Sequence, residues 1–293
     1  MKTIQAELLI NTKSRSARHA YAELLDALRS SSIEIAKVYE LFGSDLQAEL
    51  KKAAKSAPML LIIGGGDGTV SSALDFFAGS KQNIAFIPLG TTNNFARSVS
   101  LPLTIQDAVH AIATRTVKPV DLGVINGRHF ANVAGLGLSA KIAGSIKDSS
   151  KRKYGRLAYA LEGVGQLFTY KPFLVTVQDK DSELELHFET RQMIVANGKY
   201  HAGRQIAADA SLSNSELLIF PLGGASLWSF VWAMVDFYVG KRKLVRHGSF
   251  VIGRHVRIST SKTVPIEFDG EVALHTPAEA TVASAAVQIW GAK

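Results

Sequence analysis

The chain has no cysteine, which excludes disulfides and thiolate metal centres and fits a cytoplasmic protein. Nor does it have an apolar run of the roughly 20 residues that a membrane-spanning helix needs. The nearest candidate, Leu227 to Gly240, is too short and carries Asp236. Met1 to Ile10 alternates apolar and polar positions and includes Lys2 and Glu7, so no secretory leader is expected. The 8 histidines show no metal-ligand spacing, and His201, close to Gly203 and Arg204, reads as a loop residue. Internal repeats and low-complexity segments are missing as well.

What is present suffices for a sizeable core. The 293 residues are 47% hydrophobic and 20% charged, a length at which one or two domains are both reasonable. The formal net charge is +8, and most of the excess follows Leu122: 13 basic against 11 acidic residues up to that point, 20 against 14 beyond it. A basic balance serves solubility and also suits nucleotides, nucleic acids or anionic lipids.

Up to about residue 120, strand-like and helix-like segments alternate. Ala6–Ile10, Ile33–Tyr39, Met59–Ile63 and Ile84–Ile87 read as strands. Ala17–Arg29, Asp45–Lys55, Val70–Phe77 and Ile105–Ala113 read as helices. That rhythm predicts a parallel sheet covered by helices on both faces, with ligands beyond the carboxyl ends of the strands. Past Asp121 the runs are short, alternating or β-branched: Val120–Ile125, Arg128–Ala134, Phe173–Gln178, Glu183–Glu189, Met193–Ala196, Leu217–Phe220, Phe250–Ile258 and Val264–Phe268. Asn126-Gly127 is a two-residue hairpin signal. An antiparallel β domain is expected there, with one helix over Tyr154–Leu167 and the boundary near Leu122. The fold class is therefore α/β in two domains: 1–122, with a tail of about 276–293 packing back on it, and 123–275.

Two loops carry chemistry. Gly64-Gly65-Gly66-Asp67-Gly68-Thr69 lies between an apolar strand and a helix. Glycines there permit positive φ and let backbone N–H groups approach a phosphate, with Thr69 capping the helix that follows. Asp67 would be repelled by an anion unless a cation or hydroxyl intervenes, so a metal-bridged or ribose-facing role is expected. No Lys follows the last glycine, so this is not a Walker A loop. The second loop, Gly90-Thr91-Thr92-Asn93-Asn94-Phe95-Ala96-Arg97, offers hydroxyls and amides for a base or ribose and Arg97 for phosphate. Simple helix capping would also account for those residues.

The two loops together resemble the catalytic domain of bacterial diacylglycerol kinases and their sphingosine- and ceramide-kinase relatives. Asp121-Leu122-Gly123 followed by Asn126 to Gly135, Lys153-Tyr154-Gly155-Arg156-Leu157-Ala158-Tyr159, and Ile266-Glu267-Phe268-Asp269-Gly270-Glu271 are similar to further segments of that family, in its order. The resemblance implies transfer of the ATP γ-phosphate to a lipid hydroxyl in the cleft between the domains. Phosphoryl transfer of this kind needs charge neutralisation, positioning and a carboxylate to accept the alcohol proton. The resemblance makes Asp269 the general base and Glu271 part of its polar surroundings. It puts Asp67 and Asp121 in a network bridged by Mg2+ and water. Asn11, Gly65, Gly66, Asp67, Gly68, Thr69, Thr91, Asn93 and Arg97 would line the ATP site. The implied partner is a lipid substrate at a membrane surface, with peripheral contact at the inner membrane face and no nucleic acid; a homodimer is compatible. Two basic clusters, Lys151-Arg152-Lys153 with Arg156 and Lys241-Arg242-Lys243 with Arg246, suit an anionic surface, the second following Trp228, Phe230, Trp232, Phe237 and Tyr238.

Some positions depart from the family pattern. Asn94 stands where an aspartate is usual, Ser71-Ser72 where Asn-Glu is frequent, and Ser213-Asn214-Ser215 where Asp-Asp-Gly is expected. Asn11-Thr12-Lys13-Ser14-Arg15 replaces Asn-Pro-x-Ser-Gly. A soluble-substrate kinase of the NAD-kinase type and a non-catalytic nucleotide- or lipid-binding protein remain the alternatives from sequence.

Overall fold

The computed structural model describes residues 3–12, 15–41, 45–146, 165–166, 168–182, 184–201, 203–206, 210–239, 251–268 and 271–292. Strand and helix alternate first: β1 (Ile4–Ile10), α1 (Arg15–Arg29), β2 (Ile33–Glu40), α2 (Leu46–Ser56), β3 (Leu61–Gly65), α3 (Asp67–Phe77), β4 (Asn83–Pro88), α4 (Asn94–Ser98) and α5 (Ile105–Ala113). The strands pair in parallel in the order β2-β1-β3-β4. β3 is buried at every position, which explains why Leu-Ile-Ile-Gly-Gly shows no polar alternation. Leu24 and Leu28 of α1 and Ile105, Val109 and Ile112 of α5 pack with Leu8 and Ile62 on one face. Leu50 of α2 and Val70, Ala73 and Phe77 of α3 pack with Leu9 and Ile63 on the other.

The remainder is mostly strand: β5 (Val117–Ile125), β6 (Arg128–Phe130), β7 (Val133–Gly137), β8 (Phe173–Asp179), β9 (Glu185–Thr190), β10 (Gln192–Ala196), β11 (Tyr200–His201), β12 (Arg204–Gln205), β13 (Leu217–Pro221), β14 (Val251–Gly253), β15 (His255–Thr260), β16 (Pro265–Phe268), β17 (Glu271–His275) and β18 (Ala278–Trp290). Helices α6 (Leu138–Ile146) and α7 (Leu227–Val239) interrupt it. A 6-stranded antiparallel sheet runs β14-β13-β10-β7-β16-β17. It packs face to face on β8, β15 and part of β18 through Leu136, Val195 and Ile219 against Val175, Val177, Val256, Ile258 and Ala280. Its other face, with Val133, Ile194, Leu218 and Phe220, is covered by Leu138 of α6 and Phe230 of α7. The fold is therefore α/β, a parallel sheet followed by an antiparallel sandwich.

β18 joins the two parts. Gln288–Trp290 lie parallel to Asn83–Ala85 of β4, while Ala278–Thr281 lie antiparallel to β15. β5 follows β18 along its length, across a bulge between Ala283 and Val287 where Ala285 takes a φ of 50°. β5 also runs unbroken through Leu122, so the chain passes between regions inside a strand. The hairpin after it is built on Asn126 and Gly127, at φ 46° and 83°, as a two-residue turn with matched twist requires. Two expected strands are divided: Arg128–Ala134 into β6 and β7, and Phe250–Ile258 into β14 and β15 at Arg254. Of the helix expected over Tyr154–Leu167, only Gly165 and Gln166 are among the described residues, and both are helical. Among the described residues no helix is long and apolar enough to cross a membrane.

Candidate functional site

The carboxyl ends of β1, β3 and β4 lie side by side and deliver Asn11, Gly65-Gly66 and Leu89-Gly90 to one edge of the sheet. Asn11 N donates to Gly64 O at 2.9 Å, and Leu89 N donates to Gly65 O at 2.9 Å. Gly66 is the N-cap of α3, in extended backbone with φ −90° and ψ −176°, and no side chain caps the helix. The first-turn N–H groups of α3 are thus open to an anion. Two expectations need correction here. None of Gly64, Gly65, Gly66 and Gly68 uses a positive φ. Thr69 is not the cap but a buried first-turn residue, whose hydroxyl accepts from Asn11 Nδ2 at 3.0 Å.

The glycines are needed for close approach instead. A Cβ on Gly90 would meet Gly66 Cα at 2.7 Å, and one on Gly65 would meet Thr69 Cβ at 2.6 Å. Gly68 differs: it is exposed, and a Cβ there would meet nothing within 4 Å. The two loops are also pinned together by Asp67. Its Oδ2 accepts from Thr92 Oγ1 at 2.5 Å and its Oδ1 from Asn94 N at 2.6 Å. A carboxylate of α3 therefore holds the start of α4, where its charge faces the helix's positive end.

Asn93 closes the second loop on itself. It adopts φ 48°, accepts from Gly90 N at 2.9 Å and donates to Gly90 O at 2.8 Å, so its amide holds the turn shut. Arg97 Nε donates to Thr92 O at 2.9 Å, which aims the guanidinium along the loop, and Thr91 stands exposed at its tip. Asn94 is buried and its Oδ1 accepts from Gly203 N at 2.8 Å. This last bond brings the short β11–β12 ribbon over the loop.

The ribbon carries His201, which reads as a loop residue from sequence but lies on a short strand. His201, on β11, feels the charges of both Glu267 on β16 and Asp67. Burial lowers its pKa from the ordinary value, and those two carboxylates oppose the shift. No signal in the sequence marked it, because its neighbours in space come from both ends of the chain. Asp121 is buried, and its oxygens are held by Ser215 N at 2.8 Å, Ser215 Oγ at 3.2 Å and Ala285 N at 2.7 Å. Its partners differ from those of Asp67; it ties β5 to the segment before β13 and to the bulge of β18. Asp269 and Gly270 connect the paired ends of β16 and β17 and lie outside the described residues, while Glu271 opens β17.

Residues 5–125 match the diacylglycerol kinase catalytic domain, and residues 132–291 match the YegS C-terminal NAD kinase beta sandwich-like domain. The chain belongs to the diacylglycerol-kinase-like lipid kinase family. It is 25% identical over 261 residues to the diacylglycerol kinase of Bacillus subtilis strain 168, covering 88% of this chain and 86% of that protein. A crystal structure of a diacylglycerol kinase from Bacillus anthracis strain Sterne superposes with a TM-score of 0.74 at 22% identity, covering 99% of this chain and 97% of the other. The chain thus carries the family's two regions, with its paired glycine loops inside the catalytic-domain match.

Proposed function

We propose that this lipid kinase transfers the terminal phosphoryl group of ATP to a hydroxyl of a membrane lipid of the diacylglycerol type. The observation that carries the reading is the clamp of Asp67 on Thr92 and Asn94, with Gly66 against Gly90. It fixes an uncapped helix N-terminus and the Arg97 loop at one sheet edge, which suits a polyphosphate. Mg2+, when present, would supply neutralisation of the charge that develops during transfer, and Asp67 would help to hold it. The residues fit such an ion. Magnesium is usually held by one or two carboxylates together with phosphates and waters. An ionised carboxylate has about four acceptor sites, so Asp67 keeps capacity beyond its two hydrogen bonds. Among the described residues no group of three or more His, Asp or Glu side chains is placed to hold a metal ion by itself, so the other ligands would come from phosphate and water.

In this reading the N–H groups of the first turn of α3 bind phosphate oxygens, and Arg97 orients them. Asp269, which the resemblance makes the general base, accepts the proton of the lipid hydroxyl. The test is incubation of the purified chain with radiolabelled ATP, magnesium and a total lipid extract, followed by separation of the lipids. Labelled lipid is expected, and Asp269→Asn should cut the rate by about 10²–10⁴ while leaving nucleotide affinity unchanged. A fully active Asp269→Asn variant would remove Asp269 from the role. An absence of label in every lipid would remove the kinase reading.

A further inference from the structure

Helix α7 carries apolar residues on both sides, and among the described residues only one side is packed against the fold. Phe230, Ala233 and Met234, at helical i, i+3 and i+4 spacing, pack onto the outer face of the antiparallel sheet. Trp228, Trp232 and Val235, at i, i+4 and i+7, form the opposite stripe, and they are 74%, 64% and 42% exposed. Two tryptophans on one outward face of a single helix far exceed the scattered exposure of an ordinary surface.

The stripe has apolar and basic company. Arg191 donates through Nε to Tyr170 O at 3.0 Å and through NH1 to Ala225 O, which sets the Tyr170 segment beside the start of α7. On that segment Phe168 is 64% exposed and Lys171 is exposed. Lys262, also exposed, donates to Lys171 O at 3.2 Å and stands 5.1 Å from the Tyr170 ring. In sequence α7 leads into Gly240-Lys241-Arg242-Lys243-Leu244-Val245-Arg246. Asp236, at the margin of the stripe, is half-buried and already engaged.

We propose that α7 is the surface by which the protein docks on an anionic lipid bilayer, lying in the membrane plane with Trp228, Trp232 and Val235 in the headgroup–acyl boundary. This rests on the lipid-kinase reading, which requires an acceptor presented by a membrane. The chemistry selects that occupant. Tryptophan prefers the bilayer interface, where its ring is apolar and its N–H is wet. Lysines beside such a face favour anionic headgroups, whereas the core of a protein–protein interface is depleted in lysine. Over its described residues the helix has 13 residues, shorter than a bilayer is thick, which suits a place on the surface.

The test uses the full chain with vesicles of mixed phosphatidylglycerol and phosphatidylcholine, read by flotation and by tryptophan emission. Of the 3 tryptophans, Trp290 is buried at 8% exposure, so a blue shift on vesicle addition reports on Trp228 and Trp232. We expect wild-type binding that weakens with added salt and is much lower on pure phosphatidylcholine. Replacing both side chains (W228S with W232S) should lower the partition coefficient about 100-fold or more, since each ring removes a large apolar area from water. The melting temperature should be unchanged, and so should turnover of a short-chain diacylglycerol dispersed as monomers. Unaltered vesicle binding by the double variant would overturn the proposal. So would a concentration-dependent dimer that the two substitutions dissolve, with no vesicle binding by the wild type. Tryptophan-dependent binding without phosphorylation of any lipid would leave the surface standing and remove the kinase reading instead.

Discussion

Gly68→Ala separates what the fold needs from what a ligand needs. Gly68 is the second residue of α3, exposed, with ordinary backbone angles and open space where a Cβ would go. Glycine inside a helix costs about 0.5–1 kcal/mol relative to alanine, because it loses more backbone freedom on folding. Nothing in the packing offsets that cost. Alanine should therefore stabilise the protein, and for a chain of this size the gain corresponds to a rise in Tm of roughly 1–4 °C. Because Cα–Cβ bonds in a helix tilt toward its N-terminus, the same methyl group would lean toward a ligand seated on the uncapped N–H groups of the first turn. A phosphate seated on those groups would have to move away or be lost, and a loss of one or two hydrogen bonds to a charged group is worth about 1.5–3 kcal/mol each, at least tenfold in Kd. The pair of measurements is a thermal melt without nucleotide and calorimetric titration with ADP. Higher Tm with weaker nucleotide binding is the expected result. Higher Tm with an unchanged Kd would refute a phosphate at α3, and a lower Tm would show that the reading of Gly68 as structurally idle is wrong.

Gly90→Ala should do the opposite, because the added carbon meets the backbone of Gly66 at 2.7 Å and neither chain can yield without parting the loops; a loss of about 1–3 kcal/mol is expected in a urea titration. Asp121→Asn keeps the size of the side chain but can accept through one oxygen only, so either Ser215 N or Ala285 N is left facing an amide. The cost should be about 1–3 kcal/mol, measured by denaturant midpoint, and nucleotide affinity measured below the transition should be retained. Burial lowers the pKa of His201 in the folded protein from 6.5, so the unfolded chain binds the proton more readily. Its contribution is fully present above pH 6.5 and is lost as the pH falls through the lowered value. His201→Gln should flatten the acid side of the stability–pH curve, and an unchanged curve would count against that placement.

The sequence by itself determined the local elements and the order in which they alternate. The helix expected over Ile105–Ala113 has those bounds in the structure, because its apolar period and the Thr104 cap act within a few residues. Asn126-Gly127 likewise specifies its turn from its own backbone preferences. Both glycine loops were visible as loops between strand and helix. Their inner logic was not, because it depends on which backbones meet. Gly66 touches Gly90, and Asp67 reaches Thr92 and Asn94, only once β3 and β4 have paired in parallel. β18 was read as a tail rather than a strand, since Ala-Glu-Ala-Thr-Val-Ala-Ser-Ala-Ala has no strong alternation; its pairing with β4, β5 and β15 supplies the order that its own residues do not. The aromatic run of α7 was legible as apolar, but a helix apolar all round gives no direction. Only the packing of Phe230 on the antiparallel sheet decided that Trp228 and Trp232 would face outward, because a helix that buries one stripe against a sheet must present the other to its surroundings.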